Sequence, residues 1–452
     1  MSRLRILLWV AAYAALLCWS YIKLVVPRFK YQGFQLVAPH PAAVTVAIAL
    51  SVALVFFLPR SFERPSSVVH WLLYLFVLLP SLLLPPFALQ RSAADLITLS
   101  CSLAASFVVL VAMSRLPLIR RTARRPRPYV FWLVVVTLIV ISYGAIGLEV
   151  GFHFHWVGIS DIYSVRTQYK QAVGGDVLGN RGALASYLAN WQITVVSPLL
   201  LAYGIWRRHV VLIVIAVVSE FAMYVTTGYK SALFAPLFVA GLVYVLRRRG
   251  RGAVVLARGV VFLTAAMLFV GLQVTSLTNV ALSRLGINNG ITTAYYFDFF
   301  SKNPITHWAD SVFRGLYSYP YAAPYQVLIS QVYAHSPGYW NGNIWADGFA
   351  NFHYTGMFLA VLILGVFLWI YDGLAQDVDL VASATLIGVP TLVTLSNAPI
   401  QTSFLTGGLL IALLLLAVVP RGMFKTTKAL RLPSADRAAV PSKVPRRYRA
   451  GA

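Results

Sequence analysis

Apolar runs follow one another along most of the chain, separated by short polar segments rich in Arg, Pro and Gly. They occupy about 6–26, 42–58, 68–89, 93–113, 129–148, 191–206, 210–225, 231–246, 259–277, 355–371, 380–396 and 403–419. A helix needs ~20 such residues to cross a bilayer. The pattern therefore predicts an all-α fold, a polytopic membrane helix bundle of about 12 transmembrane helices. Several runs are short for a hydrocarbon core of ~30 Å, which predicts tilted or broken helices. Pro80, Pro85 and Pro86 predict a kink or an early exit in the third run. The first run follows Arg3 and Arg5, as a signal peptide would. It exceeds a usual signal-peptide core, and no small-residue cleavage site precedes Arg28 and Lys30, so it reads as a retained helix.

Composition removes the soluble alternatives. Of the 452 residues 59% are hydrophobic and 11% charged, with a mean hydropathy of +0.75. A soluble domain carries roughly 25% charge, so soluble enzymes, nucleic-acid-binding modules and disulfide-stapled folds are excluded. Cys18 and Cys101 both lie inside apolar runs and read as core packing.

The net charge of +24 would point to nucleic acid in a soluble protein; here its distribution sets orientation. With a cytoplasmic N-terminus, 26 of the 37 Lys and Arg fall on the cytoplasmic side, leaving 11 outside. Only an even number of spans keeps both basic termini inside. Residues 1–420 then form the integral membrane domain. Residues 421–452, basic and punctuated by Pro433, Pro441 and Pro445, are expected to be a disordered cytoplasmic tail.

Two stretches, 149–190 and 278–354, interrupt the succession of spans, and both fall outside in this topology. Loops beyond ~15 residues are usually functional or disordered, and these are too aromatic for disorder. The first contains Glu149, His153, His155, Asp161, Arg166, Lys170, Asp176 and Arg181. His153 and His155 meet on one face only if extended. Set among Phe152, Phe154 and Trp156, they favour decoration of the membrane interface, so no metal is expected. Asp161, Arg166 and Lys170 can share a helical face. That segment is either an interfacial amphipathic helix or an anion site, Arg offering a planar fork to phosphate.

The turn TTGYKSA, after the seventh run, carries Lys230, either a snorkelling anchor or a cation holding a headgroup near the next helix. Glu220 lies inside the seventh run, where a carboxylate is costly; it is either functional or bonded to Thr226, Tyr224 or another helix. Asp95 reads as a helix-start residue.

The second stretch holds Arg284, Asp298, Lys302, His307, Asp310, Arg314, His335 and Asp347. With its edge it also holds 9 of the chain's 24 tyrosines, Tyr319 among them, together with Trp308, Trp340 and Trp345. Aromatic faces stack on sugar rings and also populate interface belts. Residues 292–301 read as an interfacial segment or a re-entrant hairpin.

The end of this stretch, NGNIWADGFANFHYTGMF, with Asn343, Asp347, Gly348, Asn351 and Gly356, resembles bacterial oligosaccharide repeat-unit polymerases, the O-antigen polymerase (Wzy-like) family. The turn TTGYKSALFAPLFV is similar to that family's, as is the plan of about twelve spans with two large external loops. The resemblance implies a C-type-like membrane glycosyltransferase at the outer face of the bacterial plasma membrane. It would join repeats carried on polyprenyl pyrophosphate, with no cofactor, metal or nucleotide. It implies lipid-linked oligosaccharides, the bilayer, flippase and chain-length regulator proteins as partners, and no nucleic acid. The family's functional loop arginines carry over onto Arg166 and Arg314. Its basic position after the seventh span, often Arg, is Lys230 here, and an Arg-x10-Gly pattern is not met, since Val177 stands eleven residues after Arg166. The related ligases carry a His about a dozen residues before a Gly, to which His335 and Gly348 are similar with different spacing.

The chemistry asks for little else. A sugar hydroxyl attacking a lipid-linked anomeric carbon already has pyrophosphate as its leaving group. The protein must stabilise developing charge with cations, position the acceptor and offer a base. Arg166, Arg314, His335 and Asp347 are the candidate catalytic residues. Lys170, Arg181, Glu220, Lys230, Arg284, Tyr319 and Trp345 are the candidate substrate contacts, with Asp161 and Glu220 as further candidate bases. Rival readings are an O-antigen ligase, another polyprenyl-phosphate-dependent glycosyltransferase, and a lipid or glycan transporter. The second usually carries acidic residues after the first span, where 27–41 has none. The third would line several spans with charge.

Overall fold

The computed structural model describes residues 3–119, 125–151, 161–174, 180–273, 286–336 and 338–424. Every regular element among them is helical. Ten helices are long and apolar enough to cross a membrane: α1 (Arg3–Gln32), α3 (Pro65–Ala88), α4 (Ala93–Met113), α5 (Pro128–Glu149), α7 (Gly182–Arg207), α8 (Val210–Thr227), α9 (Lys230–Arg247), α10 (Gly252–Gln273), α13 (Ile344–Ala375) and α15 (Ile400–Val418). Two shorter apolar helices, α2 (Pro41–Leu54) and α14 (Leu380–Leu395), occupy the other two predicted runs. Three more do not fit a span: α6 (Ile162–Gly174), α11 (Asn288–Phe300) and α12 (Tyr325–Ala334). The architecture is that of a multi-pass helical membrane protein.

The ends of the helices sort the charge. At one end Arg64 donates to the Ser114 carbonyl at 2.7 Å, Arg125 to those of Leu374 and Leu416, and Arg421 pairs with Asp377 at 2.6 Å. Asp372 caps α3 there, accepting from the Ser66 amide at 3.1 Å and hydroxyl at 2.5 Å. Guanidinium groups at helix C-termini satisfy orphan carbonyls and oppose the dipole. The basic turns predicted to share a side thus lie together. The opposite end carries what is described of the two long stretches.

The wholly buried α3 is the axis of the bundle. Its expected kink is a π-helical turn, Tyr74–Leu78, just before Pro80. Proline has no N–H for the carbonyl four residues earlier, here that of Phe76. That acceptor is taken by the Asn289 side chain, at 2.7 Å, from α11. Gly290 lets the two backbones meet, since a Cβ there would lie 2.4 Å from the Pro80 oxygen. A helix from the second long stretch therefore penetrates the bundle, and nearly every residue from Asn289 to Phe300 is buried. Within the second long stretch α11 is thus packed inside the bundle rather than laid over it, and Asn289 meets the backbone acceptor that Pro80 sets free.

The start of α13 is likewise buried and is set off by a break. Phe352 (φ −147°, ψ 28°) and His353 (φ 51°, ψ −139°) leave helical geometry and divide it into two pieces. The expected start of the tenth span, 355, falls just after this break. Gly348 and Gly356 meet across it, and a Cβ on Gly348 would lie 2.6 Å from the Gly356 oxygen. Elsewhere the helices outrun the apolar runs: α1 continues through a π turn, Tyr21–Val25, and α7 begins at 182 rather than 191.

Candidate functional site

At the end of the bundle away from the arginine-rich turns, α6 lies across the α8–α9 turn. Gly228, at φ 66°, makes this possible, because a Cβ would meet the Arg166 amide and the Ile162 carbonyl at 2.9 Å each. The Arg166 guanidinium then stands over the Tyr229 ring at 5.4 Å, with Tyr169 against the same ring at 5.7 Å. One turn along α6, the Lys170 ammonium stands 5.4 Å from the Tyr339 ring, joining the two long stretches. Lys230 follows directly, at the first position of α9. Three of the predicted substrate or catalytic cations thus gather about one turn.

Arg166 and Lys170 are like charges at i, i+4, and among the described residues neither has a carboxylate partner. Among the described residues the buried Arg166 Nε finds no hydrogen-bond partner. Partial burial, and secondly the Arg166 charge, hold the Lys170 pKa below the usual lysine range. Beneath α6 a mostly apolar cleft of about 120 Å³ is lined by Val150, Val165, Tyr169, Ala172 and Val225, with Gln168 and Thr226. Cations without a carboxylate partner among the described residues, above an apolar cleft, suit an anionic head with a hydrocarbon tail.

A second group of residues surrounds the α13 break. The break deprives the Ala350 and Asn351 carbonyls of helical donors, and the amides of Thr306 and His307 replace them at 3.0 and 3.3 Å. The Asn351 side chain accepts from the Thr306 hydroxyl at 2.7 Å and the Trp308 amide at 2.6 Å. This holds His307 (φ 53°) and Trp308 (φ 50°) in left-handed backbone, a conformation non-glycine residues keep only where surroundings impose it. The His307 ring stacks on Tyr317 at 4.7 Å.

Asp347 sits beneath them, 1% exposed, accepting from the Tyr325 hydroxyl at 2.6 Å and facing the Trp308 indole at 3.4 Å. Its oxygens face these donors rather than an open surface, and it pins the segment 304–317 onto α13. Arg314 lies exposed on that segment, bonded to the Asp310 carbonyl at 3.3 Å. Burial, the dominant effect, raises the half-buried Asp310 above the usual carboxylate range, while its own amide and Arg314 pull the other way.

The remaining predicted residues separate. Trp345 is fully buried, its indole bonded to Ser106 at 2.9 Å between α13 and α4, so it is a core residue here. The Tyr319 hydroxyl accepts from the Tyr325 amide at 2.8 Å, clamping a turn, and burial pushes its pKa up to about 12. His335 is exposed and ends α12 in left-handed backbone (φ 50°), away from Asp347. Glu220 is buried inside α8, with neither Thr226 nor Tyr224 bonded to its oxygens. Arg181 lies in the helical segment Asn180–Trp191, immediately before the first residue of α7. Arg284, Asp176, His153 and His155 lie outside the described residues. Asp95 falls in the first turn of α4, its amide bonded to the Ser92 side chain. Among the described residues no three His, Cys, Asp or Glu gather as a metal site would require.

One anchor escaped the pattern. Arg91 donates to Asp298 at 2.6 Å, and Asp298 also receives Lys302 at 3.0 Å and the Tyr333 hydroxyl at 2.6 Å. Burial acts against the ionised carboxyl, but these three donors outweigh it and hold the Asp298 pKa below the usual range. The Asp298-x3-Lys302 spacing was visible in the chain; Arg91, two hundred residues away, had no local signal.

Searches against protein-family models, curated proteins and solved structures find no match to this chain.

Proposed function

We propose that this protein is a membrane glycosyltransferase that polymerises polyprenyl-pyrophosphate-linked oligosaccharide repeat units at the outer face of the bacterial plasma membrane, both termini being cytoplasmic. The observation that carries the reading is the pair of cations Arg166 and Lys170, which have no carboxylate partner among the described residues, over an apolar cleft, with Lys170 against Tyr339 of the second long stretch. A pyrophosphate supplies the missing negative charge, its isoprenoid fits the apolar lining, and aromatic surface at Tyr339 and Tyr317 receives sugar rings. As the acceptor hydroxyl attacks the anomeric carbon, the bond to pyrophosphate breaks and its developing charge falls on Arg166, Lys170 and Lys230. Asp310 or His307, beside exposed Arg314, is better placed to take the hydroxyl proton than sealed Asp347 or distant His335.

The test is reconstitution. Purified full-length protein in detergent, given lipid-linked repeat units and neither nucleotide nor metal, should make longer lipid-linked chains. Arg166→Ala should lower that rate by about 100-fold or more while the protein still inserts. No chain growth by the wild-type protein, or growth only with a nucleotide, would sink the proposal.

A further inference from the structure

Inside the bundle, remote from the cations of α6, Glu220 is 1% exposed, and among the described residues neither of its carboxyl oxygens receives a hydrogen bond. The residue before it, Ser219, is the centre of a partly buried polar network. Its hydroxyl lies 2.8 Å from that of Tyr143 on α5 and 2.7 Å from that of Ser197 on α7. The Gln192 amide nitrogen donates to Ser197 at 2.8 Å and to Ser219 at 3.1 Å. Both amide hydrogens are then spent, and among the described residues the buried Gln192 Oε1 is left without a donor.

The helix itself is altered here. Gln192–Val196 is a π-helical turn within α7, a wide turn frequent at functional positions. Tyr143 interacts electrostatically with Glu220. Tyr224, one turn on along α8, is the other ionisable neighbour. The network residues of α7, Gln192 and Ser197, do not titrate. Arg166 on α6 and Lys230 on α9 lie at the Gly228 turn, about two helical turns further along. No Lys, Arg or His comes within ion-pair distance of Glu220 among the described residues. Among the described residues Glu220 and Gln192 Oε1 are thus acceptors without donors and Glu220 has no ion-pair partner, and an intramembrane carboxylate in that state calls for a cationic partner.

We propose that Glu220 is the anchor of a buried binding site for a monovalent cation, a proton or an alkali ion, between α5, α7 and α8. The site is independent of the glycosyltransferase reading and needs no substrate. Its test is the thermal unfolding midpoint of the full-length protein in detergent. Sodium, potassium and choline chloride are compared at equal ionic strength, from mildly acidic to mildly alkaline buffer. An alkali-ion site raises the midpoint by roughly 2–4 °C in sodium or potassium over choline. A proton site lowers it by a similar margin as pH rises, whatever the salt. Either dependence is lost in Glu220→Gln. A midpoint indifferent to salt and pH, or a dependence that survives in Glu220→Gln, overturns the proposal. If the variant does not accumulate, infrared spectra of the wild-type protein decide. A carboxyl band that responds to pH or to cation exchange supports the site, and an unresponsive one overturns it.

Discussion

The Asn289 side-chain amide donates to the Phe76 carbonyl at 2.7 Å, taking the acceptor that Pro80 leaves orphaned one turn later. The Asn289 carbonyl in turn accepts from Asn343 at 3.1 Å, so the break in α3, the buried α11 and the start of α13 are joined through one residue. Asn289→Leu keeps the volume but strands the carbonyl. We expect a loss of about 1–2 kcal/mol of stability, read as a lower unfolding midpoint in detergent. Pro80→Ala restores the α3 donor, so the same Asn289 change should cost less in that background. Equal costs in both backgrounds would show that the orphaned carbonyl is not what α11 satisfies.

Much of this was legible along the chain, and the limits have physical causes. Ten of the twelve apolar runs correspond to helices long enough to cross a bilayer and the other two to shorter apolar helices, because length and hydrophobicity are both local properties. The buried helix α11 was harder. TTAYYFDFF has the aromatic character of an interfacial belt, and only Asn289 and Gly290 meeting the Pro80 kink distinguish burial from surface. Arg166, Lys170 and Lys230 were found from charge and spacing, and Gly228 brings them together. Asp347, Trp345 and Tyr319 were singled out for polar or aromatic character, which cannot separate a packed residue from an open one. Each spends its polar atoms on a neighbour in the fold.

Asp298 predicts an acid-labile region. Its folded pKa is depressed, so its stabilising effect is present above the unfolded carboxylate value of about 4 and is lost as pH falls through the lower folded value. Hydrogen exchange in α11 and α12 should therefore rise on acidification below about pH 4. Asp298→Asn, which cannot ionise, should exchange faster at neutral pH and show little further acid response. An acid response as large as that of the wild-type protein would move the cause to another group.

Lys170 sets an upper pH limit if it holds an anion. Burial and Arg166 lower its pKa, so its charge disappears at a pH below that of a free lysine. Lipid-pyrophosphate binding should weaken over that range. Lys170→Arg remains charged throughout, so the alkaline decline should move upward or vanish in that variant. An unchanged alkaline limb would remove Lys170 from the binding site.

Trp345 should behave as a packing residue. Its ring fills the space beside Phe107 and its indole meets Ser106 at 2.9 Å. Trp345→Ala should cost about 3–5 kcal/mol and reduce the folded fraction, while the KM of the protein that does fold changes little. Tyr339→Ala, at a residue 61% exposed, should do the reverse, sparing stability and raising KM. A rise in KM at Trp345 without loss of stability would restore it as a substrate contact.

Arg314 provides the sharpest separation of site from scaffold. It is exposed, makes no ion pair among the described residues, and its hydrogen bond is a 3.3 Å contact to the Asp310 carbonyl one helical spacing back. Surface residues of this kind usually change stability by no more than about 0.5 kcal/mol, so Arg314→Ala should insert and unfold like the wild-type protein. Its surroundings give the side chain another use: Tyr317 stacks on strained His307, and Leu316 beside it is 75% exposed. A guanidinium held there beside half-buried Asp310 can meet a phosphate or a sugar hydroxyl. Chain extension from lipid-linked repeats should therefore be abolished in Arg314→Ala and recover only in part in Arg314→Lys, which keeps the charge but not the planar fork. A glycan length distribution unchanged in Arg314→Ala would place the segment 304–317 outside the reaction, leaving the α6 cations to act without it.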